Sequence, residues 1–178
     1  MSRPAKLLRG DGPGKVLFDW WTRLASPEVS GGLRADRAAL RRAGSLTAVA
    51  LAPGFQRVLH SMEAAREDGE AWFAADRDRL AAAVGLLAHV GTSVDDLTLP
   101  KAASRRADGA DRNPVSDLRF ARLLEAPDLD ALFVGLRRAL PLLGDTVDVM
   151  SLANDIYNWN EQTQKRWAYQ YDWKPSGE

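Results

Sequence analysis

Apolar residues recur three and four positions apart through almost the whole chain, which is the spacing of helices that bury one face. No segment alternates apolar and polar residues with the period of two that is typical of a half-buried strand. The pattern therefore predicts an all-α protein. The first apolar stripe, which ends before a break at residues 27–32, consists of Val16, Leu17, Trp20, Trp21 and Leu24.

Three further helices are predicted before residue 92. The second begins near Leu33, and the third begins at Pro53, because the first turn of a helix tolerates proline. The third ends near Gly69, and the fourth runs from about Glu70 to Val90. The expected buried positions of the fourth are Trp72, Phe73, Leu80, Val84 and Leu87.

Residues 93–114 show no apolar periodicity and contain two prolines with Asp, Ser and Gly. We predict a basic loop or linker here, and a loop of this length is usually functional or joins two domains. The predicted organisation is an N-terminal helical bundle over residues 1–92 and a second bundle over residues 115–178, joined by this linker.

The C-terminal bundle is predicted from caps and aromatic residues. Ser116 and Asp128 are expected to cap successive helices; Pro127 ends the first, and Pro141 and Gly144 end the second. The last segment forms either one long helix or two helices with a break near residues 158–160. Its apolar phase is carried by Leu152, Ile156, Trp159, Trp167 and Tyr171.

The composition narrows the protein class. With 178 residues and 46% hydrophobic content, the chain can bury a core without a disulfide or a metal. The absence of cysteine excludes thiol catalysis and cysteine-ligated zinc and fits a cytoplasmic location. No apolar run approaches the length of a membrane span.

The net charge is zero, but the charge is unevenly distributed. Residues 1–92 hold 13 basic and 10 acidic side chains, whereas residues 115–178 hold 7 and 10. Arginine outnumbers lysine 19 to 5, which suits phosphate recognition because the guanidinium group is planar and bidentate. The same excess is typical of proteins from GC-rich genomes. Position along the helices must therefore decide between these interpretations.

Arg34, Arg37 and Arg41 are spaced by three and four residues, which places them on one helix face. Only Asp36 is near enough in sequence to offset their mutual repulsion. A nucleic-acid backbone would supply the missing negative charge. The alternative is a solvated face, or arginines that pair with acids on neighbouring helices.

A second basic face combines Arg119 and Arg122 with the basic loop before them, which we expect to be mobile. The tryptophans are in phase with aliphatic residues and are expected in the core rather than stacked on bases. The complete set of candidate nucleic-acid-binding residues is Arg34, Arg37, Arg41, Arg42, Lys101, Arg105, Arg106, Arg112, Arg119, Arg122, Arg137, Arg138, Lys165 and Arg166.

Signals for catalysis are weak. His60 precedes Glu63 and Glu67 at helical spacing, which is a faint metal-binding pattern, and His89 lies near a helix end without an evident partner. We therefore expect no catalytic residue, metal or cofactor. An enzyme that uses His60 and Glu63 is one alternative function.

Three segments carry a resemblance to a known family. They are Gly-Leu-Arg-Ala-Asp-Arg-Ala-Ala-Leu-Arg-Arg at 32–42, Val-Ser-Asp-Leu-Arg-Phe-Ala-Arg-Leu-Leu at 115–124, and Asp-Ile-Tyr-Asn-Trp at 155–159 followed by Lys-Arg-Trp-Ala-Tyr-Gln-Tyr at 165–171. In the order and spacing of these segments, the chain resembles the small subunit of the type I-E CRISPR surveillance complex Cascade, the CasB family.

The resemblance implies a non-catalytic all-α protein of two bundles, present in more than one copy. Its implied partners are guide RNA, target DNA, the other Cascade subunits and a second copy of itself, with no membrane. The matching basic positions are Arg34, Arg41, Arg42, Arg119, Arg122, Lys165 and Arg166. The neutral net charge departs from a simple nucleic-acid binder, and a helical protein–protein adaptor without nucleic-acid contact is the alternative.

Overall fold

A computed structural model describes residues 12–67 and 71–175. Within these ranges the regular structure is helical apart from one pair of two-residue strands, which confirms the all-α prediction. The helices are α1 (Pro13–Ala25), α2 (Gly31–Arg42), α3 (Leu46–Ala50), α4 (Pro53–Ala64), α5 (Ala74–Leu87), α6 (Leu99–Ser104), α7 (Asp117–Leu124), α8 (Leu129–Ala139), α9 (Val149–Tyr157) and α10 (Glu161–Gln170). A 3-10 helix (Leu140–Leu143) follows α8, and two short strands, β1 (Thr92–Ser93) and β2 (Thr146–Val147), pair in parallel.

Helix α5 lies at the centre of the fold. Every residue from Leu80 to Val90 is buried, so the helix has no solvated face along its second half. It packs against α2, α3 and α4 from the N-terminal half of the chain and against α8 and α9 from the C-terminal half. A helix that is apolar all round must be enclosed by other elements. Buried residues from α1 through α10 consequently form one continuous apolar cluster.

Gly85 and Arg79 of α5 determine how the neighbouring helices contact it. A Cβ atom added at Gly85 would lie 2.8 Å from Val49 Cγ2 and 2.9 Å from Phe133 Cε2, so only glycine lets α3 and α8 approach this near. At the other end, Arg79 donates to the carbonyls of Tyr157 (3.1 Å) and Trp159 (3.0 Å). The first carbonyl belongs to the last residue of α9 and the second lies two residues beyond it, where the helix has no intrahelical donors for them.

The N-terminal helices agree with the sequence pattern except at their ends. Helix α4 begins at Pro53 as predicted but ends at Ala64, and Gly69 and Glu70 lie outside the described residues. Trp72 is buried as expected, whereas the prediction for Phe73 is wrong, because its side chain is 83% exposed. Phe73 has the extended backbone of an N-cap, so helical phase does not apply to it. The short helix α3 was not predicted.

The prediction of a structureless loop over residues 93–114 is wrong in part. Helix α6 lies in this range, as does Ser93, the second residue of β1. Helix α6 is too short to show apolar periodicity, and the strand pairing depends on residues 146–147, which are distant in sequence. The division into two bundles stays a prediction, although α5 packs against helices of both halves.

The C-terminal helices are capped as predicted. Ser116 Oγ accepts from the Arg119 N–H at 3.4 Å, and Asp128 Oδ1 accepts from the Ala131 N–H at 2.8 Å. The last segment forms two helices rather than one, because Asn160 caps α10 through the Thr163 N–H (3.0 Å). Among the described helices, none is long and apolar enough to cross a membrane.

The enclosed position of Gly85 leads to a testable prediction. We expect Gly85→Ala to lower the free energy of unfolding by about 1–3 kcal/mol, because the added methyl group overpacks the core. The measurement is urea denaturation followed by circular dichroism. Gly32→Ala in α2 is the matched control, since nothing lies within 4 Å of its added Cβ, and we expect it to be neutral or stabilising. Equal effects of the two changes would contradict the close packing at Gly85.

Candidate nucleic-acid interface

Three arginines of α2 project into solvent. Ser30 caps the helix by accepting from the Leu33 N–H at 3.3 Å, and Arg34, Arg41 and Arg42 are exposed. Asp36, the acid that could have offset them, instead pairs with Arg57 of α4 at 2.5 Å. Among the described residues, no acidic group forms an ion pair with the three arginines. Their positive charge therefore remains available at the surface.

Arg37 differs from its neighbours because its guanidinium group points inward. It donates to the carbonyls of Leu24 (3.4 Å), Ala88 (3.2 Å) and Val90 (3.4 Å), at the ends of α1 and α5. Carbonyls at helix C-termini lack intrahelical partners and favour cations. Burial and the nearby Arg41 lower the pKa of Arg37. The side chain thus joins three helices and does not extend the exposed face that its spacing predicted.

Arg137 of α8 is also engaged within the chain. Its Nη2 donates to the Arg41 carbonyl at 2.9 Å and its Nε to His89 Nε2 at 3.5 Å. His89 is buried, and this burial, together with the charges of Arg137 and Arg41, lowers its pKa to about 4. The histidine is therefore neutral near pH 7 and accepts from Arg137, the partner that the sequence did not reveal.

The loop after α6 keeps its three arginines exposed, and two of them form no ion pair within the described residues. Arg105 and Arg112 are in solvent, as is Lys101 of α6, whose ammonium group lies 3.4 Å from the Asp96 carbonyl. Arg106 is held more firmly, because it donates to Asn113 Oδ1 at 2.8 Å and lies 3.7 Å from an Asp172 carboxylate oxygen.

This loop is anchored by Tyr171, at the end of α10. The Tyr171 hydroxyl donates to the Val115 carbonyl at 2.6 Å and accepts from the Asn113 amide at 3.0 Å. Burial raises the pKa of Tyr171 to about 12, so the hydroxyl remains a donor. Lys174 adds a bond to the Asp111 carbonyl at 2.6 Å. The second half of this loop, which was expected to be mobile, is therefore held by hydrogen bonds to Tyr171 and Lys174.

Helices α7 and α8 form the walls of a groove of about 810 Å³. Arg119 and Arg122 lie on one wall and Arg138 on the other, and all three side chains are exposed. The sequence predicted each of these arginines but not that they share one groove. The apolar lining comprises Val115, Leu123, Ala131, Val134, Ala139 and Leu142.

Two exposed leucines near these arginines were missed in the sequence. Leu118 of α7 is 63% exposed, and Leu142 of the 3-10 helix, which lines the groove, is 41% exposed. The sequence pattern indicates that Leu118 is exposed, because Leu118 is out of phase with the buried residues Phe120 and Leu123 of the same helix.

The last two predicted basic residues, Lys165 and Arg166 of α10, differ in their surroundings, as the arginines of α2 do. Lys165 is exposed, whereas Arg166 pairs with Asp155 of α9. Asp155 is buried and also accepts from Trp167 Nε1 at 2.7 Å. Burial raises the pKa of Asp155, and its bonds to Trp167 and Arg166 offset part of that shift. Arg166 therefore stabilises the contact between α9 and α10.

The faint metal pattern finds no support in the described part of the chain. His60 is exposed, while Glu63 is buried and accepts from the Trp72 N–H and Arg77, each at 3.1 Å. Over residues 12–67 and 71–175, no group of three or more His, Asp or Glu residues could hold a metal ion. Most tryptophans are buried, as predicted, including Trp20, Trp21, Trp72 and Trp167.

These features define a class, that of a small all-α protein whose exposed guanidinium groups suit anionic partners. The chain belongs to the family of the CRISPR-associated protein Cse2, whose sequence profile matches residues 36–171. This match confirms the resemblance carried by the three sequence segments. No curated protein gave a significant match.

Solved structures share the fold. A CRISPR-associated protein of the Cse2 family from Thermus thermophilus is 27% identical with a TM-score of 0.65, and a second structure, of CasB from the same species, is 26% identical with the same score. Each match covers 90% of this chain and 97% of the other. A chain in the structure of E. coli Cascade bound to a PAM-containing double-stranded DNA target is 17% identical, with a TM-score of 0.61 over 86% of this chain and 92% of that chain.

The inward position of Arg37 predicts a stability effect. We expect Arg37→Ala to lower the free energy of unfolding by about 2 kcal/mol, because it leaves helix-end carbonyls without their charged donor. Arg34→Ala is the control on the same helix, and we expect its effect to be within about 0.5 kcal/mol. Urea denaturation measures both, and equal values would contradict the structural role of Arg37.

His89 predicts a pH dependence. Its folded pKa of about 4 lies below the ordinary value of 6.5, so the unfolded chain binds the proton more readily. The stability contributed by neutral His89 is therefore complete above pH 6.5 and is lost as the pH falls towards 4. We expect the decrease in the urea midpoint between about pH 7 and about pH 5 to be smaller in His89→Gln than in wild type. Identical pH profiles would overturn this assignment.

Proposed function

We propose that the chain is a non-catalytic subunit of a CRISPR ribonucleoprotein of the Cascade type, which holds nucleic-acid backbone through arginine–phosphate contacts without reading sequence. Membership of the Cse2 family supports this assembly, as does the fold shared with a chain of E. coli Cascade bound to double-stranded DNA. The proposed partners are guide RNA, target DNA, the other subunits and a second copy of the chain, in the cytoplasm.

The observation that carries the proposal is the unpaired charge of α2. Arg34, Arg41 and Arg42 are exposed, and the nearest acid in sequence, Asp36, is already paired with Arg57. The charge of Arg41 also acts on Arg37. A protein keeps such like charges close together at a cost in stability, and a phosphate backbone relieves that cost.

The exposed residues Arg105 and Arg112, in the loop after α6, are further candidates for phosphate contacts. Arginine–phosphate contacts fix position along a strand but carry no sequence information. In a guide-RNA complex, base pairing reads the sequence, and opening of the DNA duplex is nearly balanced in free energy. A few backbone contacts to the separated strands are then enough to favour the open state.

The salt dependence of binding tests this surface. We expect Arg34→Ala/Arg41→Ala to weaken binding to single-stranded DNA of mixed sequence and to its duplex. The slope of log affinity against log salt should fall by about 0.7 per lost phosphate contact for the single strand and about 0.9 for the duplex. Fluorescence anisotropy between about 50 and 200 mM salt gives both quantities.

The control is Lys15→Ala/Arg23→Ala, which removes two charges from exposed positions of α1. It should leave the slope unchanged. If the α2 variant keeps the wild-type slope, or if both variants lower it equally, the assignment of α2 as a phosphate-binding face is wrong.

A further inference from the structure

We propose that the groove between α7 and α8 docks a segment of a partner protein that presents apolar side chains flanked by carboxylates. This site differs from the α2 surface, and the proposal does not depend on nucleic-acid binding there.

The first argument is the shape of the groove. It encloses about 810 Å³ between two helices, and its apolar lining is accessible from outside, as the 41% exposure of Leu142 indicates. Gly135 sets the spacing of the walls, because a Cβ atom there would lie 2.6 Å from Leu123 Cδ2. Grooves of this kind between helices accept apolar side chains from a partner segment.

The second argument is the charge at the walls of the groove. Arg119, Arg122 and Arg138 form no ion pair with an acid in the described ranges, so carboxylates of a partner can meet them. Asp128 and Asp130 also line the groove. Their carboxylates accept from the Ala131 N–H at 2.8 Å and the Leu46 N–H at 3.1 Å, respectively.

Because the groove carries both arginines and aspartates, its charges favour a protein segment over a nucleic acid as the occupant. A phosphate backbone in this groove would place further negative charge beside Asp128 and Asp130 and would cover the apolar lining without apolar contacts. A protein segment can place its carboxylates at the arginines and its apolar side chains on the lining. Charge complementarity of this selective kind is typical of protein interfaces.

Leu118 supports the same occupant. It is 63% exposed and lies four residues before Arg122, so both project from one face of α7. An exposed leucine on the same helix face as Arg122 gives an apolar partner segment further apolar surface to cover. The partner segment would therefore extend from Leu142 across the groove towards Leu118.

Site-specific cross-linking identifies the occupant. A photoreactive benzoylphenylalanine at position 142 is introduced into the full chain, and the assembly is purified from its host through a tag on this chain and irradiated. We expect a cross-link, identified by mass spectrometry, to a protein segment that contains apolar residues and Asp or Glu. A cross-link to nucleic acid, to a segment without acidic residues or to no macromolecule overturns the proposal. The same probe at the exposed Leu51 reports nonspecific labelling.

Charge reversal gives a second readout. Arg138→Glu places a carboxylate opposite the proposed partner carboxylates and should lower recovery of the chain in the assembly roughly tenfold. Arg23→Glu is the matched control, because both residues lie in the last turn of a helix. Circular dichroism confirms folding of each variant. Equal recovery of the two variants would overturn the assignment of the groove.

Discussion

The enclosure of α5 is the constraint on which the other features depend. Because its second half has no solvated side, other helices must cover it on every side, and they come from both ends of the chain. Burial on this scale removes backbone carbonyls from water as well, and the carbonyls at 88 and 90 must find donors inside the protein. Arg37 and Trp21 supply those donors, each bonding to the Val90 carbonyl.

The need for internal donors divides the arginines into two groups. Arg37, Arg79 and Arg137 satisfy carbonyls at the ends of helices, where a guanidinium group also meets the negative end of the helix dipole. Other arginines remain exposed on α2, α7 and α8. Acidic side chains also form contacts within the chain. Asp36, for example, is an ion-pair partner, and Asp128 is a helix cap. A net charge of zero is therefore compatible with local patches of unpaired positive charge.

The exposed arginines lie in two kinds of surroundings, which suggests a division of labour within an assembly. On α2, Arg34, Arg41 and Arg42 form no ion pair with an acid of the described residues, which suits a flexible polyanion. Between α7 and α8 they flank an apolar lining and two aspartates, which suits a protein surface. A subunit with both surfaces would be fixed in its complex by protein contacts and would add modest backbone contacts to the strands held there.

The sequence by itself determined the helical class, the caps at Ser116 and Asp128, and the family, because these depend on local spacing and on which residue types occur together. Local spacing also places Arg34, Arg37 and Arg41 on one face of α2, but it carries no information about what lies beyond that face. Only the tertiary structure decided that Arg37 points to the ends of α1 and α5, that α6 interrupts the expected loop, and that Arg138 lies across a groove from Arg119. Each of these depends on contacts between residues distant in sequence, and the free energy of such contacts is set by packing rather than by local pattern.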